Sequence, residues 1–497
     1  MNKKTFGKNK VAVAVALLCV AGPVSGQDAS QRVEELEEAV KNLSREIEAL
    51  KEADAKAATT TQKVDTQVPT VVWREGVQFN DPRGNWSIRI FGRGQLDYRQ
   101  FDPDAAANTF AIRRARLGAG MTFMKDYGLT IEAEYATGSA QGAATQGTAI
   151  TNAFMDFNWF SKARIRAGQF KPQFGLENTA SANFSDFQER GLTQNLIQNL
   201  NYDRGIMVHG APIKGLNYGV TVSNGTGLNL EERQGSPQEL DADGKLLTAR
   251  LTADFAQLLD IKDSLIHIGG SYKTGSVVNT SASPFTAATG QTEGRGVTFF
   301  NPEAFAAAAV EASNVDRTLS VGELALARKS VKLQGEYWEA KYEGTRTTAP
   351  VTRFDRKIEA GYLSVLWLIT GENYSDAYSN GVFGRIRPRN NFSTGEGGGL
   401  GAWEVGLRYS FFDAGDFDAA GTGVANTGRV STTGTGTTAS TPTQKADAWT
   451  LGLKWMPNPY TRLMANYTVT EFDTPIVANG ITMDEEKALT LRAQIDF

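Results

Sequence analysis

Residues 487–497 read KALTLRAQIDF, in which Leu489, Leu491, Ala493, Ile495 and Phe497 alternate with Thr490, Arg492, Gln494 and Asp496. Successive side chains on a β-strand point to opposite faces, so this stretch makes a strand with one apolar face and one polar, partly charged face. The same period recurs along the chain. Ile88, Ile90, Gly92, Gly94, Leu96 and Tyr98 alternate with Arg89, Arg93, Gln95, Asp97 and Arg99. Leu117, Ala119, Met121 and Phe123 alternate with Arg116, Gly118, Gly120 and Thr122; Leu129, Ile131, Ala133 and Tyr135 with Thr130, Glu132 and Glu134; Met155, Phe157 and Trp159 with Asp156 and Asn158. The pattern returns near 163–170, 204–211, 216–223, 245–255, 264–274, 316–327, 330–342, 356–367, 401–412, 446–456, 461–470 and 486–497. Sixteen strands are predicted, an even number.

The connections alternate in length as well. Those at 125–127, 161–162, 212–215, 328–329 and 457–460 are short, and between them lie long polar segments at 137–150, 171–203, 224–244, 275–315 and 413–445. Short turns on one rim and long loops on the other are the plan of an outer-membrane barrel. Phe497 on its strand resembles the C-terminal aromatic signal by which bacterial outer-membrane barrels are recognised for insertion. One connection departs from the plan. Parity places 371–400 on the short-turn rim, yet it is long and carries Arg385, Arg387 and Arg389. Either the strand count slips there, or that rim bears a basic segment. A periplasmic β-sandwich or propeller is the soluble alternative. Against it stands an apolar face rich in aromatics near strand ends (Tyr98, Tyr135, Trp159, Tyr218, Tyr272, Trp403, Tyr409, Trp449, Trp455, Tyr467), as an interfacial girdle requires. The opposite face is expected to be charged along its whole length, which a packed core would not tolerate. No repeat of propeller length is evident.

The rest of the chain fits an exported barrel. Residues 1–26 read as a secretory signal: Lys3, Lys4, Lys8 and Lys10 precede an apolar stretch at 11–21 too short to span a bilayer, and Val24, Ser25 and Gly26 offer cleavage before Gln27. The single cysteine, Cys19, lies inside that stretch behind Leu18, which argues against lipidation. The mature chain then has no disulfide, no thiol nucleophile and no cysteine-ligated metal. The apolar fraction of 41% is no obstacle, because a barrel shows lipid only alternate residues. A net charge of −4 gives no reason to propose nucleic acid as a partner. Over 27–58, Val33, Leu36, Val40, Leu43, Ile47 and Leu50 fall at spacings of three and four among charged residues. This heptad seam predicts a short periplasmic helical coiled coil holding an oligomer together. Its other reading is one amphipathic helix packed on its own barrel or frayed in the periplasm. Residues 59–75 read as a linker and 76–497 as the transmembrane barrel.

If the apolar face meets lipid, the other lines a water-filled lumen. Its expected cations include Arg89, Arg93, Arg99, Arg114, Arg116, Arg164, Arg166, Arg250, Lys273, Lys332, Arg408, Lys454, Arg462 and Arg492; its acids include Asp97, Glu132, Glu134, Asp156, Asp254, Glu336, Glu359, Glu404 and Asp496. Closing the last strand on the first gathers nine of the cations on one wall. Arginine ladders select anions, and the planar guanidinium suits phosphate. Alternatively, arginines and acids pair across the lumen and only hold the pore walls apart. Catalysis finds little support: His209 and His267 lie on separate strands, and no nucleophile–base motif appears. Asp241, Asp243 and Gly244 carry a fragment of a calcium loop and no more. No cofactor or metal is implied.

Five runs resemble the phosphate- and polyphosphate-selective porin family (porin O/P) of Gram-negative bacteria: IRRARLG at 112–118, GQFKPQFGLE at 168–177, LITGE at 368–372, FGRIRP at 383–388 and GAWEVGLRYS at 401–410. Their order is the specific feature. The resemblance implies a homotrimer of 16-stranded antiparallel barrels in outer-membrane lipid, passing small anions, phosphate or polyphosphate among them. It also implies a third loop, 171–204 here, folded inward as the constriction and carrying Lys171, Arg190 and Arg204 with Glu177, Asp186 and Glu189. Arg113, Arg114 and Arg116 match the family's arginine run. Where phosphate-binding members place two loop lysines, this chain has Asn178 and Asn183. The closest alternatives are a general, weakly selective porin and a structural or tethering barrel.

Overall fold

The computed structural model describes residues 34, 37–52, 68–73, 75–136, 148–229, 245–278, 285–305, 314–346, 352–395, 397–418 and 428–497. The signal expected at 1–26 and the calcium-like residues 241–244 lie outside them. The chain divides into two units, Met1–Val68 and Pro69–Phe497. In the first, residues 34 and 37–52 are helical, and the seam residues Val40, Leu43, Ile47 and Leu50 are exposed.

The second unit is a closed barrel. Its strands are β1 (Trp86–Asp102), β2 (Thr109–Phe123), β3 (Tyr127–Glu134), β4 (Ala149–Phe157), β5 (Arg164–Phe170), β6 (Asp203–Ile213), β7 (Leu216–Ser223) and β8 (Leu246–Asp254). They continue with β9 (Ser264–Val278), β10 (Asn314–Arg328), β11 (Val331–Arg346), β12 (Thr352–Leu368), β13 (Ala402–Asp413), β14 (Lys445–Asn458), β15 (Thr461–Ala478) and β16 (Ile481–Asp496). Neighbours pair antiparallel, and β16 pairs with β1 from Lys487 opposite Asp102 to Asp496 opposite Arg93. Closure leaves the barrel strands no long free edge. The two-residue alternation holds: on β14, Trp449, Leu451 and Leu453 face out while Thr450 and Lys454 are buried. Tyr135, Trp159, Tyr272, Trp449 and Tyr467 stand about half exposed on the outside. Among the described residues no helix is long and apolar enough to cross a membrane.

Three sequence expectations change. Thr70–Trp73, inside the expected linker, is a strand; it pairs with Val77–Asn80, which pairs with β1 from Ser87 to Ile90, below the point where β16 ends. Only four residues long and with Val71, Val72 and Trp73 in succession, Thr70–Trp73 shows no two-residue period in the sequence. Glu359 faces outward beside Tyr337, which donates a hydrogen bond to it, because Ile358, Ala360 and Tyr362 fill the inner face of β12. Nor is the inner face charged along its whole length. Toward the long-loop end it carries Ala340, Tyr342, Ile358, Phe412, Ala446 and Phe472, which form one buried cluster with Phe299, Phe300 and Phe305 of the β9–β10 connection and Val430 and Ala439 of the β13–β14 connection. Those loops turn back inside the barrel mouth and shield apolar inward positions from water.

The strand count stands, so the long segment between β12 and β13 does sit on the short-turn rim. It too turns inward. A 3₁₀ turn at Tyr374–Ala377 and a small hairpin, Tyr378–Ser379 with Val382–Phe383, enter the lumen. Tyr378 Oη lies 2.5 Å from His267 Nδ1, Arg250 Nη2 donates to the Gly381 carbonyl at 2.9 Å, and Tyr374 donates to Glu404 at 2.9 Å.

Candidate functional site

The connection from β5 to β6 crosses the lumen. Gly175, at φ +69°, turns the chain into the short helix Leu176–Thr179, whose first amides donate to the Glu336 carboxylate on β11: Leu176 N–H at 2.6 Å and Glu177 N–H at 3.0 Å. A side chain at 175 would come within 2.6 Å of Trp338 and 2.8 Å of Glu336, so only glycine fits. Further along, Asp186 accepts from Lys332 of β11 at 2.7 Å, and the Asn183 carbonyl accepts from Arg462 of β15 and, at 3.0 Å, from Gln494 of β16. The connection is thus fastened to two separate parts of the wall, both far from its own strands.

Strict alternation along β2 would put Ile112 inside with Arg114 and Arg116, and Arg113 outside. The observed register instead carries a β-bulge: Gln95 pairs with Arg114 and Leu96 with Ile112, leaving Arg113 as the extra residue. A bulge re-aims a side chain, and here Arg113, Arg114 and Arg116 are all buried inside while Ile112 faces out.

Most cations of the expected wall are neutralised. Arg93 pairs with Glu132 at 3.0 Å and Arg116 with Glu134 at 2.7 Å. Arg166 holds Asp156 with two hydrogen bonds of 2.7 and 3.0 Å. Arg99 and Arg492 reach Asp97 at 2.9 and 2.7 Å. Glu189 of the crossing connection gathers Arg113 at 2.8 Å, Arg492 at 2.9 Å and Arg99 at 3.2 Å. Burial pushes its carboxyl up, but Arg113, Arg492 and Arg295 outweigh that and hold it well below the ordinary carboxylate range. Arg408 pairs with Glu293 at 2.6 Å, Lys454 with Glu404 at 2.6 Å and Arg462 with Asp496 at 3.0 Å. Arg89 is exposed near the short-turn rim, over the Phe91 ring.

Several of the cations left without ion pairs line one chamber. A cavity of about 450 Å³ lies between the walls of β1 to β7 and the crossing connection. Arg93, Arg114, Arg116, Arg164, Arg166, Lys171 and Arg190 line it, with Glu132 as the one carboxylate in the lining among the described residues. Four of these cations have no ion pair among the described residues. Arg114 donates only to Gln95 at 2.8 Å; Arg190 donates to Gln194 at 2.7 Å, to the Asn178 side chain at 3.4 Å and to the Asn178 and Ala180 carbonyls at 3.5 Å; and Lys171 donates to the carbonyls of Asn178 and, at 2.9 Å, Ala180. Arg164 is the fourth. Burial lowers the Lys171 ammonium well below its usual value, and Arg190, Arg93, Arg116 and Arg114 lower it further. Asn178 is buried beside Lys171, while the Asn183 side-chain oxygen is buried without a partner among the described residues. Arg204 donates to Gln169 at 3.2 Å, outside the chamber lining.

The pairings that fix this pattern are not readable in the sequence. Glu189 and Glu293 come from loops, far in the chain from the arginines they neutralise, and no local spacing announces them. Among the described residues no cluster has the composition of a metal site.

The family model described as phosphate-selective porin O and P matches residues 88–497. Porin O of Pseudomonas aeruginosa is 23% identical over 470 residues, covering 90% of this chain and 96% of that protein. Among solved structures the chain is similar to an anion-selective porin from Comamonas acidovorans (TM-score 0.48, 13% identity, 83% of this chain and 100% of that one) and to the outer-membrane channel DcaP of Acinetobacter baumannii (TM-score 0.47, 12% identity, 83% and 98%). A sixteen-stranded closed barrel with an inward cationic chamber, matched by that family over most of its length, belongs to the phosphate-selective porin O and P family and is a channel of the Gram-negative outer membrane rather than an enzyme.

Proposed function

We propose that this porin passes small anions down their gradient, phosphate foremost, and that the chamber beneath the crossing connection is its selectivity site. The observation that carries this reading is the surplus of charge: Arg114, Arg164, Lys171 and Arg190 face a common cavity without carboxylate partners among the described residues. Uncompensated cations in a lumen attract anions and repel cations, and the guanidinium fork offers phosphate two parallel donors. Lys171, folded back beside Asn178, supplies an ammonium where the loop has lost its expected lysine. Polyphosphate is the larger substrate of the same chemistry. A general pore of weak selectivity is the second reading, favoured by the complete pairing of Arg408, Lys454, Arg462 and Arg492.

The barrel acts as a homotrimer in outer-membrane lipid, with residues 27–58 as a periplasmic coiled coil between copies. The exposed seam of Val40, Leu43, Ile47 and Leu50 supports this, since a lone helix of that length is marginal in water. Zero-current potentials in a planar bilayer across a KCl gradient, followed by phosphate titration, test the function. An anion-selective potential with conductance blocked by phosphate is expected; a cation-selective potential overturns the reading.

A further inference from the structure

Outside the chamber, on the inner face of β7 to β10, the barrel buries a second pair of cations. Lys273 on β9 is 1% exposed and Arg317 on β10 is 5% exposed. Arg317 stands opposite Gly275, so the two side chains are diagonal neighbours on one face of an antiparallel pair. Neither forms an ion pair with a described carboxylate. Lys273 makes one long hydrogen bond, 3.4 Å to the Leu200 carbonyl, and lies 4.7 Å over the Phe174 ring. Arg317 lies over the Phe285 ring, and its Nε and Nη2 are buried with no hydrogen-bond partner among the described residues.

The groups facing the pair offset only part of its charge. Asp203 is the nearby acid, and its two oxygens already accept the amides of Arg204 at 2.9 Å and Gly225 at 2.5 Å. Tyr342 accepts the Ala288 amide through its hydroxyl. Two hydroxyls on the same face, Thr248 Oγ1 and Ser223 Oγ, are also buried without partners among the described residues. Thr248 is directly across from Lys273, and Ser223 is across from Leu246 on the next strand pair. Buried polar groups in native proteins are nearly always satisfied, and buried charges are paired. Here two cations share one carboxylate, and unsatisfied hydroxyls lie on the same face of the neighbouring strands.

We propose that this patch is a buried oxyanion site, filled by one tetrahedral inorganic anion of the phosphate or sulfate class. The chemistry of the donors identifies the ligand. Nε and Nη2 form one edge of the guanidinium fork, which matches two oxygens of an oxyanion; Lys273 adds a charge and further donors, and the hydroxyls satisfy remaining oxygens. A spherical halide could accept both donors of the fork, but it has no further oxygens to place on the ammonium and the hydroxyls. The anion is structural: Phe174, Leu246 and Leu319 close the patch off with essentially no exposure, and the Leu200 contact ties it to the end of the crossing connection. It is independent of the conduction reading, because none of Lys273, Arg317, Thr248 and Ser223 lines the chamber.

Arsenate, an anomalous scatterer of the right shape, is the probe. Full-length protein purified and crystallised without phosphate or sulfate, then soaked in arsenate, should show an anomalous peak between Lys273 and Arg317. The peak should persist in Arg114→Ala, which alters only the chamber, and vanish in Arg317→Met. Phosphate should also raise the unfolding temperature of the wild type in detergent, and raise that of Arg317→Met by less, because only the chamber then binds it. Absence of the peak in the wild type overturns the site whether or not the variant folds. A peak only in the chamber would do the same while leaving the anion-porin reading intact.

Discussion

Replacing Arg114 with alanine removes one of the four unpaired chamber cations. A cavity of about 450 Å³ has a radius of roughly 5 Å, so a lining charge stands roughly 6 Å from an ion at its centre. With an effective dielectric of about 20, that separation is worth roughly 3 kcal/mol. A screening length of about 10 Å at 0.1 M salt brings it to about 1.5 kcal/mol. Phosphate affinity in the chamber should therefore fall on the order of tenfold, and the zero-current potential in a KCl gradient should move toward the non-selective value. Arg114→Lys should keep most of the selectivity. The decisive control removes a pair: R166Q/D156N deletes a cation and its carboxylate together and leaves the chamber's surplus unchanged. If that double variant shifts the potential as far as Arg114→Ala does, or if Arg114→Ala shifts nothing, uncompensated charge is not what selects.

Other changes test other parts of the structure. Arg408→Met leaves Glu293 buried without its cation and should destabilise the barrel by about 3–5 kcal/mol, read as a lowered unfolding temperature in detergent. Gly175→Ala forces a left-handed residue against Trp338 and Glu336; a loss of about 1–2 kcal/mol from backbone strain alone should loosen the crossing connection and appear as noisier single-channel currents. Because the Lys171 pKa is lowered, its charge is present at low pH and is lost on the alkaline side earlier than an ordinary lysine's. Anion selectivity should therefore decline as pH rises toward the lysine range, and Lys171→Arg should abolish that decline. Deleting residues 27–58 should weaken the oligomer in native electrophoresis without changing the conductance of each barrel.

The strands were legible because a barrel wall repeats one physical rule, lipid on one side and water on the other, at every second residue. Parity placed the lumen arginines of β1, β2, β13, β15 and β16, and the lysine of β14, for the same reason. It failed at Arg113, where one extra residue in the ladder turns a side chain inward, since nothing in IRRARLG marks which residue will bulge. It failed again at Glu359 and along the long-loop end, where folded-back loops make the inside as apolar as the outside. The charge balance was the least legible part. Counting cations on a wall says little when Glu189 and Glu293 arrive from loops to neutralise them.

The small hairpin ahead of β1 has a consequence for assembly. Val77–Asn80 occupies the edge of β1 at Ser87–Ile90, and the end of β16 stops just above it, where Phe497 exchanges both backbone hydrogen bonds with Gly92. The hairpin is close to β1 in sequence and can form with it locally, whereas β16 must return from nearly four hundred residues away. It therefore works as a ruler: the last strand can slide along the first only until it meets the hairpin. A one-residue overrun would turn Arg492 and Gln494 out to lipid and Leu491 and Ala493 into the lumen, so a few residues before the barrel fix the phase of its final closure.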